Sequence, residues 1–426
     1  MTRILLRATK SPFEVRSPRK TLDDNLIAGN SGNLVFMDAA WKLLSAPGAD
    51  ITPDRLEFKP RHADEINERY DVYVVPLANA FRLSFEATLV RMTEVIRRLR
   101  IPVIVLGVGA QGSPDYGFDA IAPMERSVRD FVGAVLDRSP SIGVRGEATL
   151  AYLNGLGFRD IEVIGCPSMF MWGTNLRVER RVPALDETSR IAITISPYRS
   201  TMGPIVLEAC RRFPNLTYYA QDRFTLELLL KGTPLPNGTP DAAVPTHPDH
   251  PLFRDNRTKL FIDPWPWIED LRHQDFSFGT RIHGSIAALI AGTPTTVITH
   301  DSRTLELARY FEIPYRELRR VSDGLDPVEL HETADFTALN EGHAARFETF
   351  TRYMTAAGLD NAFAHEGAPE AFDARIAGTR FPGPVTIRSS AETSLLDLGG
   401  DVKRKAWRVL GRRRGRALRT WLARHR

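Results

Sequence analysis

Ile101-Pro102-Val103-Ile104-Val105-Leu106-Gly107-Val108-Gly109-Ala110 is the longest apolar run of this 426-residue chain, and its reading decides the fold. A membrane-spanning helix needs roughly twice that length, about 20 residues. The β-branched centre and the closing glycines read instead as a buried strand that ends in a loop. Helical patterns flank it. In Phe85–Leu99 the apolar residues Leu89, Met92, Ile96 and Leu99 recur three or four apart, and in Ile121–Leu136 so do Met124, Val128, Phe131 and Val135. A continuous apolar strand between two amphipathic helices marks a parallel sheet covered on both faces.

The same alternation extends outward. Short β-rich runs stand at Arg3–Arg7, Asp71–Pro76, Ser141–Val144 and Ile161–Ile164. Met171 to Arg190 is polar and without a period. A second series follows at Ile191–Ser196, Leu216–Ala220, Lys259–Ile262, Phe276–Phe278 and Thr295–Thr299, with helices near Gly203–Arg212 and Arg223–Leu230. The spacing predicts an α/β chain with one doubly wound domain over 1–180 and a second over 181–330, each with its own core. Ligands of such sheets bind at the carboxyl ends of the strands, here in a central cleft between the two halves. Gly232–Arg254 reads as an exposed loop. Residues 331–380 form a C-terminal helical segment, centred on Phe336–Tyr353. Residues 381–426 comprise a linker, which begins in the Gly/Pro/Ser-rich stretch Gly378–Gly400, and a basic tail.

Apolar residues at 43% and charged residues at 25% exclude a collagen-like, heptad-built or fully disordered chain. Met1–Arg7 places a short apolar stretch between arginines, too little for the centre of a signal peptide. Cys166 and Cys210 build neither a disulfide framework nor a zinc motif, so a reducing cytoplasm is expected. The net charge of +4 hides an asymmetry: residues 401–426 carry +10 and the remainder −6. A nucleic-acid partner therefore does not follow from bulk charge. Within the tail, Trp407, Leu410, Ala417, Leu418, Trp421 and Leu422 recur at helical spacing among the cations, which suits peripheral contact of 401–426 with the inner face of an anionic membrane. The alternative is a solvated tail.

The densest chemical signal is Ser277-Phe278-Gly279-Thr280-Arg281-Ile282-His283-Gly284-Ser285, followed by a small-residue apolar helix. The pattern predicts a strand ending at Phe278 and a helix starting near His283 or Gly284. A helix start offers unpaired N–H groups and about half a positive charge. Arg281 adds a permanent cation and His283 a group that titrates near neutral pH. Together they suit a phosphate or carboxylate with a proton transfer beside it. The alternative is an Arg281 paired with a carboxylate and a His283 held in the core. Ser139–Leu150 repeats the arrangement with Arg145 at a strand end, where the alternative is an ion pair with Glu147 or another acid. The loops Ala28-Gly29-Asn30-Ser31-Gly32-Asn33-Leu34 and Leu106–Gly112, with Gln111, also sit at strand ends, but neither carries a full nucleotide-binding spacing. Cys166 reads as a buried small hydrophobe. His247, Asp249 and His250 lie in a Pro-rich loop, and no metal site is expected. His300-Asp301 closes the strand Thr295–Thr299 and can line the cleft.

In order and spacing, Gly279 to Pro294 (GTRIHGSIAALIAGTP), Ser141 to Leu150 (SIGVRGEATL), Ile164 to Ser168 (IGCPS) and the two glycine loops resemble the polysaccharide pyruvyl transferase family. The chain departs from the pattern at Asn33, where the family's early loop carries an acid, and before Pro76–Asn79, where its glycines are missing. The resemblance implies a GT-B-like fold of two Rossmann-like domains. It further implies transfer of a pyruvyl (carboxyethylidene) group from phosphoenolpyruvate to hydroxyls of a cell-surface polysaccharide or its lipid-linked precursor. Phosphate is released, with phosphoenolpyruvate as a substrate and no cofactor or metal. On this reading His283 delivers the proton, and Arg145 and Arg281 hold the donor's anionic groups. Ile282, Gly284 and Gln111 join them as substrate-binding positions, and Asn30 and Asn33 bond acceptor hydroxyls. Two other readings compete: a nucleotide-sugar-dependent glycosyltransferase of the same architecture, and a non-catalytic carbohydrate- or anion-binding protein.

Overall fold

The structure, a computed structural model, describes residues 1–57, 59–320 and 324–387. The basic segment 401–426 and its expected membrane contact lie outside the described residues. Among these, no helix is long and apolar enough to cross a membrane.

The first sheet is parallel, in the order β2-β1-β3-β4, with β1 Thr2–Leu6, β2 Ala49–Pro53, β3 Val72–Pro76 and β4 Val103–Leu106. The pair β5 Ile142–Val144 and β6 Ile161–Val163 continues it past β4. There the N–H groups of Gly107 and Val108 donate to the Gly143 carbonyl at 3.0 and 3.1 Å. The pleat explains the apolar runs. Ile4, Leu6, Val72, Val74, Ile104 and Leu106 face one side, and Leu5, Tyr73, Val75, Val103 and Val105 the other. Strand β2 escapes sequence reading because Ala-Asp-Ile-Thr-Pro is a half-exposed edge with no apolar run.

The second sheet is also parallel. Its strands are β7 Ile191–Ile193, β8 Thr217–Ala220, β9 Thr258–Leu260, β10 Phe276–Gly279, β11 Thr295–Thr299 and β12 Tyr315–Glu317. Their order, β12-β11-β10-β7-β8-β9, is that of a dinucleotide-binding Rossmann sheet. Two Rossmann-like units facing each other across a cleft make the fold GT-B-like.

The expectation of one core per half is corrected. A single apolar cluster runs from one face of the first sheet, through the helix Gly32–Leu44, into the whole second domain. The other face of the first sheet has its own cluster. The chain's last helices tie the halves further. Within the helix Thr337–Ala356, the Tyr353 hydroxyl donates to the Val105 carbonyl at 2.8 Å and accepts from the Gly143 N–H at 3.0 Å. In Ala368–Ala377, Asp373 accepts from buried Lys42 at 2.7 Å.

Two loop expectations also change. The stretch 232–254 is not wholly exposed: His250, Leu252 and Phe253 are buried, and His250 Nδ1 accepts from the Leu252 N–H at 3.2 Å. The start of the expected linker is held, because Val385 pairs antiparallel with Leu260 at the edge of the second sheet.

Candidate active site

In the second sheet the strand order reverses between β7 and β10, and open α/β sheets bind ligands beyond the carboxyl ends at such a point. Gly279 makes the approach there possible, since a Cβ would stand 2.2 Å from the Thr194 carbonyl oxygen. The Arg281 N–H donates to that carbonyl at 2.9 Å. Arg281 caps the helix Ile282–Ile290, which starts slightly earlier than the spacing predicts. From the first domain the helix Gly32–Leu44 begins at the same place. The Ser31 N–H donates to the Gln221 carbonyl at 2.9 Å, and the Arg223 N–H to the Gly29 carbonyl at 3.1 Å.

The opposite flank is closed by the helix Ser302–Tyr310. Ser302 Oγ accepts from the Gly112 N–H at 2.7 Å, and Glu306 accepts from the Thr149 N–H at 2.7 Å and its hydroxyl at 3.0 Å. Burial pushes Glu306 up to about 7. Between the two flanks lies a cavity of about 690 Å3.

Arg145, Arg281, Ile282, His283, Gln111, Asn30 and Asn33 all line this cavity. Gly284 does not. It is buried, and a Cβ there would stand 2.4 Å from Gln221 Nε2 and 2.7 Å from Thr194 Cβ, so no side chain fits at this position. The two asparagines are partly committed to their own loop. Asn30 Oδ1 accepts from the Gly32 N–H at 2.8 Å, and Asn33 Nδ2 donates to the Ala28 carbonyl at 3.0 Å.

Arg281 is paired with Asp222, the residue that precedes the helix Arg223–Lys231. The carboxylate pairing that stood as the alternative for Arg281 is thus present, while the residue also lines the cavity. Asp222 is pushed up by burial, against the pull of Arg281. Arg145 is 1% exposed and donates through Nε and Nη2 to the Gly107 carbonyl at 3.4 Å. Gly109 leaves it room, since a Cβ there would stand 2.4 Å from Arg145 Cδ.

The His283 ring lies 5.3 Å from that of Phe36, and its Nε2 is 3.7 Å from Cys166 Sγ. Burial, then the charges of Arg145 and Arg303, push His283 down to about 3, so the imidazole is neutral at neutral pH. Burial raises the Cys166 thiol, which stays protonated beside it.

Sequence reasoning did not pick out Arg82, Arg199, Arg303, Gln221 and Asp222, all of which line the cavity. Arg82 donates to the Asn79 carbonyl at 2.7 Å, and burial followed by Arg303, Arg145 and Arg7 pushes it down to about 10, still protonated at neutral pH. Arg303 is paired with Asp301, Nε to Oδ2 at 3.1 Å. Arg82, Arg145 and Arg199 meet no carboxylate in an ion pair among the described residues. Five arginines thus border one cavity whose lining holds a single carboxylate, Asp222, among the described residues. The signal available in the sequence was positional: Arg82 and Arg303 each follow a strand by a few residues, on the same edge as Arg145 and Arg281.

Structures similar to this chain include a UDP-GlcNAc 2-epimerase from Methanocaldococcus jannaschii in complex with UDP-GlcNAc and UDP. It is 13% identical, with 83% of this chain and 99% of that one covered and a TM-score of 0.42. The MnaA–UDP complex of S. aureus is 11% identical, with 90% and 99% covered and a TM-score of 0.39. A protein of uncharacterised function from Klebsiella pneumoniae is 10% identical, with 74% and 93% covered and a TM-score of 0.39. No curated protein matches the chain. The sequence model of one family matches residues 30–302, a span that contains both domains' cleft-facing loops with Arg145, Arg281 and His283, and the chain belongs to that family, polysaccharide pyruvyl transferase.

Proposed function

We propose that the chain transfers the pyruvyl group of phosphoenolpyruvate to two hydroxyls of a glycan, forming a pyruvate ketal and releasing phosphate. One observation carries the reading: three guanidinium groups without an ion-paired carboxylate among the described residues, Arg82, Arg145 and Arg199, border the cavity where two helices begin. The donor carries a carboxylate and a phosphate of about −1.5 to −2 charge, which matches them closely. Charge-assisted hydrogen bonds to such groups contribute roughly 1.5–3 kcal/mol each.

Burial and two guanidiniums hold His283 neutral, and the donor's negative charge offsets the guanidiniums. The imidazole then gains a proton and passes it to the methylene carbon. The cationic carbon that results is attacked by one sugar hydroxyl, phosphate leaves, and a second hydroxyl closes the ketal. Arg281 contributes by anchoring the helix start to Asp222.

The test is phosphate release from phosphoenolpyruvate with a panel of glycans, in the presence of wild-type chain or His283→Gln. The expected outcome is glycan-dependent release that the variant lacks. Donor binding without release would indicate an anion-binding protein. Activity only with nucleotide sugars would indicate a glycosyltransferase.

A further inference from the structure

Two openings lead from the donor cavity. One, of about 630 Å3, lies beyond β1 and β3 and is floored by Phe36, Met37, Leu77 and Phe85. Its carboxylate, Glu57, is ion-paired with Lys59 at 2.6 Å. Among the described residues it presents no other carboxylate or imidazole to a sugar hydroxyl. The second is a groove of about 510 Å3 between the domains, walled by Ser84, Gln111, Ser113, Arg199 and His300. His300 borders both this groove and the donor cavity. Asp119 and Asp301 border the groove alone.

His300 follows directly on β11, at the carboxyl edge of the second sheet. Its Nε2 lies 3.4 Å from Asp301 Oδ2. Asp301 is itself fixed: it accepts from Arg303 Nε at 3.1 Å and from the Thr304 N–H at 3.1 Å, capping the helix Ser302–Tyr310. His300 Nδ1 is buried and has no hydrogen-bond partner among the described residues. An imidazole with one nitrogen turned to a carboxylate and the other unoccupied has the arrangement of an oriented general base.

We infer that the acceptor glycan enters through this groove and that His300, oriented by Asp301, takes the proton of the attacking hydroxyl. The inference rests on the phosphoenolpyruvate reading above. Burial pushes His300 down to about 4, with Arg199, Arg303 and Arg281 adding to it and Asp301 opposing, so the ring is neutral and able to accept at neutral pH.

The protons balance. As the first acceptor oxygen bonds to the cationic carbon, its O–H bond breaks toward His300. When the carbon–oxygen bond to the phosphoryl group breaks, the electron pair stays on that oxygen and His300 returns the proton to it. Phosphate leaves as hydrogen phosphate and His300 is neutral again. The proton that His283 gave to the methylene carbon is replaced by the one lost from the second hydroxyl. Nothing is oxidised or reduced.

Water can stand in for the sugar hydroxyl, in which case the products are pyruvate and phosphate. The test therefore uses phosphoenolpyruvate with water and with a panel of methyl hexopyranosides, on wild type, His300→Ala and His300→Gln. Donor affinity is read by calorimetry and phosphate release by a continuous assay. Both variants are expected to bind donor within about threefold of wild type and to lose roughly 100-fold or more in phosphate release. Added imidazole is expected to return about tenfold of that rate to His300→Ala, an effect no merely structural role would give. Near-normal release, loss of donor binding, or loss without imidazole rescue would each overturn the inference. A wild-type chain that does not bind phosphoenolpyruvate would overturn the function itself, a result distinct from any of these.

Discussion

Gly32 and His283 meet across the domain interface. A Cβ on Gly32 would stand 2.8 Å from His283 Cβ, 2.9 Å from Asn30 Oδ1 and 3.0 Å from Gln221 Oε1. The two helices that open onto the cavity thus touch at their first turns, and the imidazole is placed by contact with the other domain. Gly32→Ala favours the helix by about 1 kcal/mol in propensity, yet it must push the imidazole or the domain aside. We expect thermal stability to change little or fall slightly while turnover falls at least about tenfold, a cost of roughly 1.4 kcal/mol at the transition state. Unchanged turnover would show that the first turns can separate without cost.

Because Arg281 is paired with Asp222, the proposed function leaves the donor's charge mainly to the other arginines of the cavity. Arg145→Gln and Arg82→Gln remove cations that form no ion pair among the described residues, and each is expected to weaken phosphoenolpyruvate binding by about ten- to a hundredfold. Arg281→Gln leaves Asp222 buried without its partner, so its larger effect is expected on stability, with Asp222→Asn in the same chain restoring much of it. Calorimetric affinities and melting temperatures of the three single variants and the double variant test the assignment. A larger donor effect at Arg281 than at Arg145 would reverse it.

His283 supplies the sign of the proton linkage. It is neutral, with its pKa at about 3, and on the proposed function the donor's charge is expected to raise it. Binding therefore takes up a proton at the histidine, and lower pH favours the complex on its account. The donor phosphate releases its own proton in the opposite direction near neutrality. Comparison with His283→Gln isolates the histidine's share. In calorimetry at pH 7 in buffers of different ionisation heat, wild type is expected to take up measurably more protons than the variant. Equal uptake would remove His283 from the proton path.

A second linkage concerns stability. Trp265 Nε1 donates to Asp38 Oδ2 at 3.0 Å across the domain interface, and nearby Lys10 is paired with Asp263, so Asp38 is a buried carboxylate without an ion pair of its own among the described residues. Burial pushes Asp38 up to about 7, with Asp263 adding to it and Lys10 opposing. Its folded pKa thus lies above the unfolded value of about 3.9, so between roughly pH 4 and 7 the folded state holds a proton the unfolded chain has lost, and stability falls as pH rises. Asp38→Asn keeps an acceptor for Trp265 and has no proton to lose. It is expected to exceed wild type by a few kcal/mol above pH 7 and to lose that advantage near pH 4. Urea unfolding across this range checks it; parallel curves would place the titration elsewhere.

Much of the fold could be read from local pattern because both faces of each sheet are covered. Strands such as Val72–Pro76 and Val103–Leu106 must then be continuous apolar runs. The strands that were missed, Ala49–Pro53 and Tyr315–Glu317, are edges with one neighbour each, where half-exposure removes the apolar signature. The shared core was missed for a related reason. The helix Gly32–Leu44 is buried almost throughout, and periodicity in one helix does not say which domain covers which side.

The sequence by itself determined that Arg145, Arg281 and His283 stand at the ends of parallel strands, on one edge of their sheets, because a right-handed crossover returns every parallel strand in the same direction. Only the tertiary structure decided which of those charges remain available. Asp222 reaches Arg281 from another strand's end, while Arg82 and Arg303 arrive from opposite domains. Burial among them then sets the imidazoles' protonation, and burial and charge separation are properties of distance in space that no local spacing encodes.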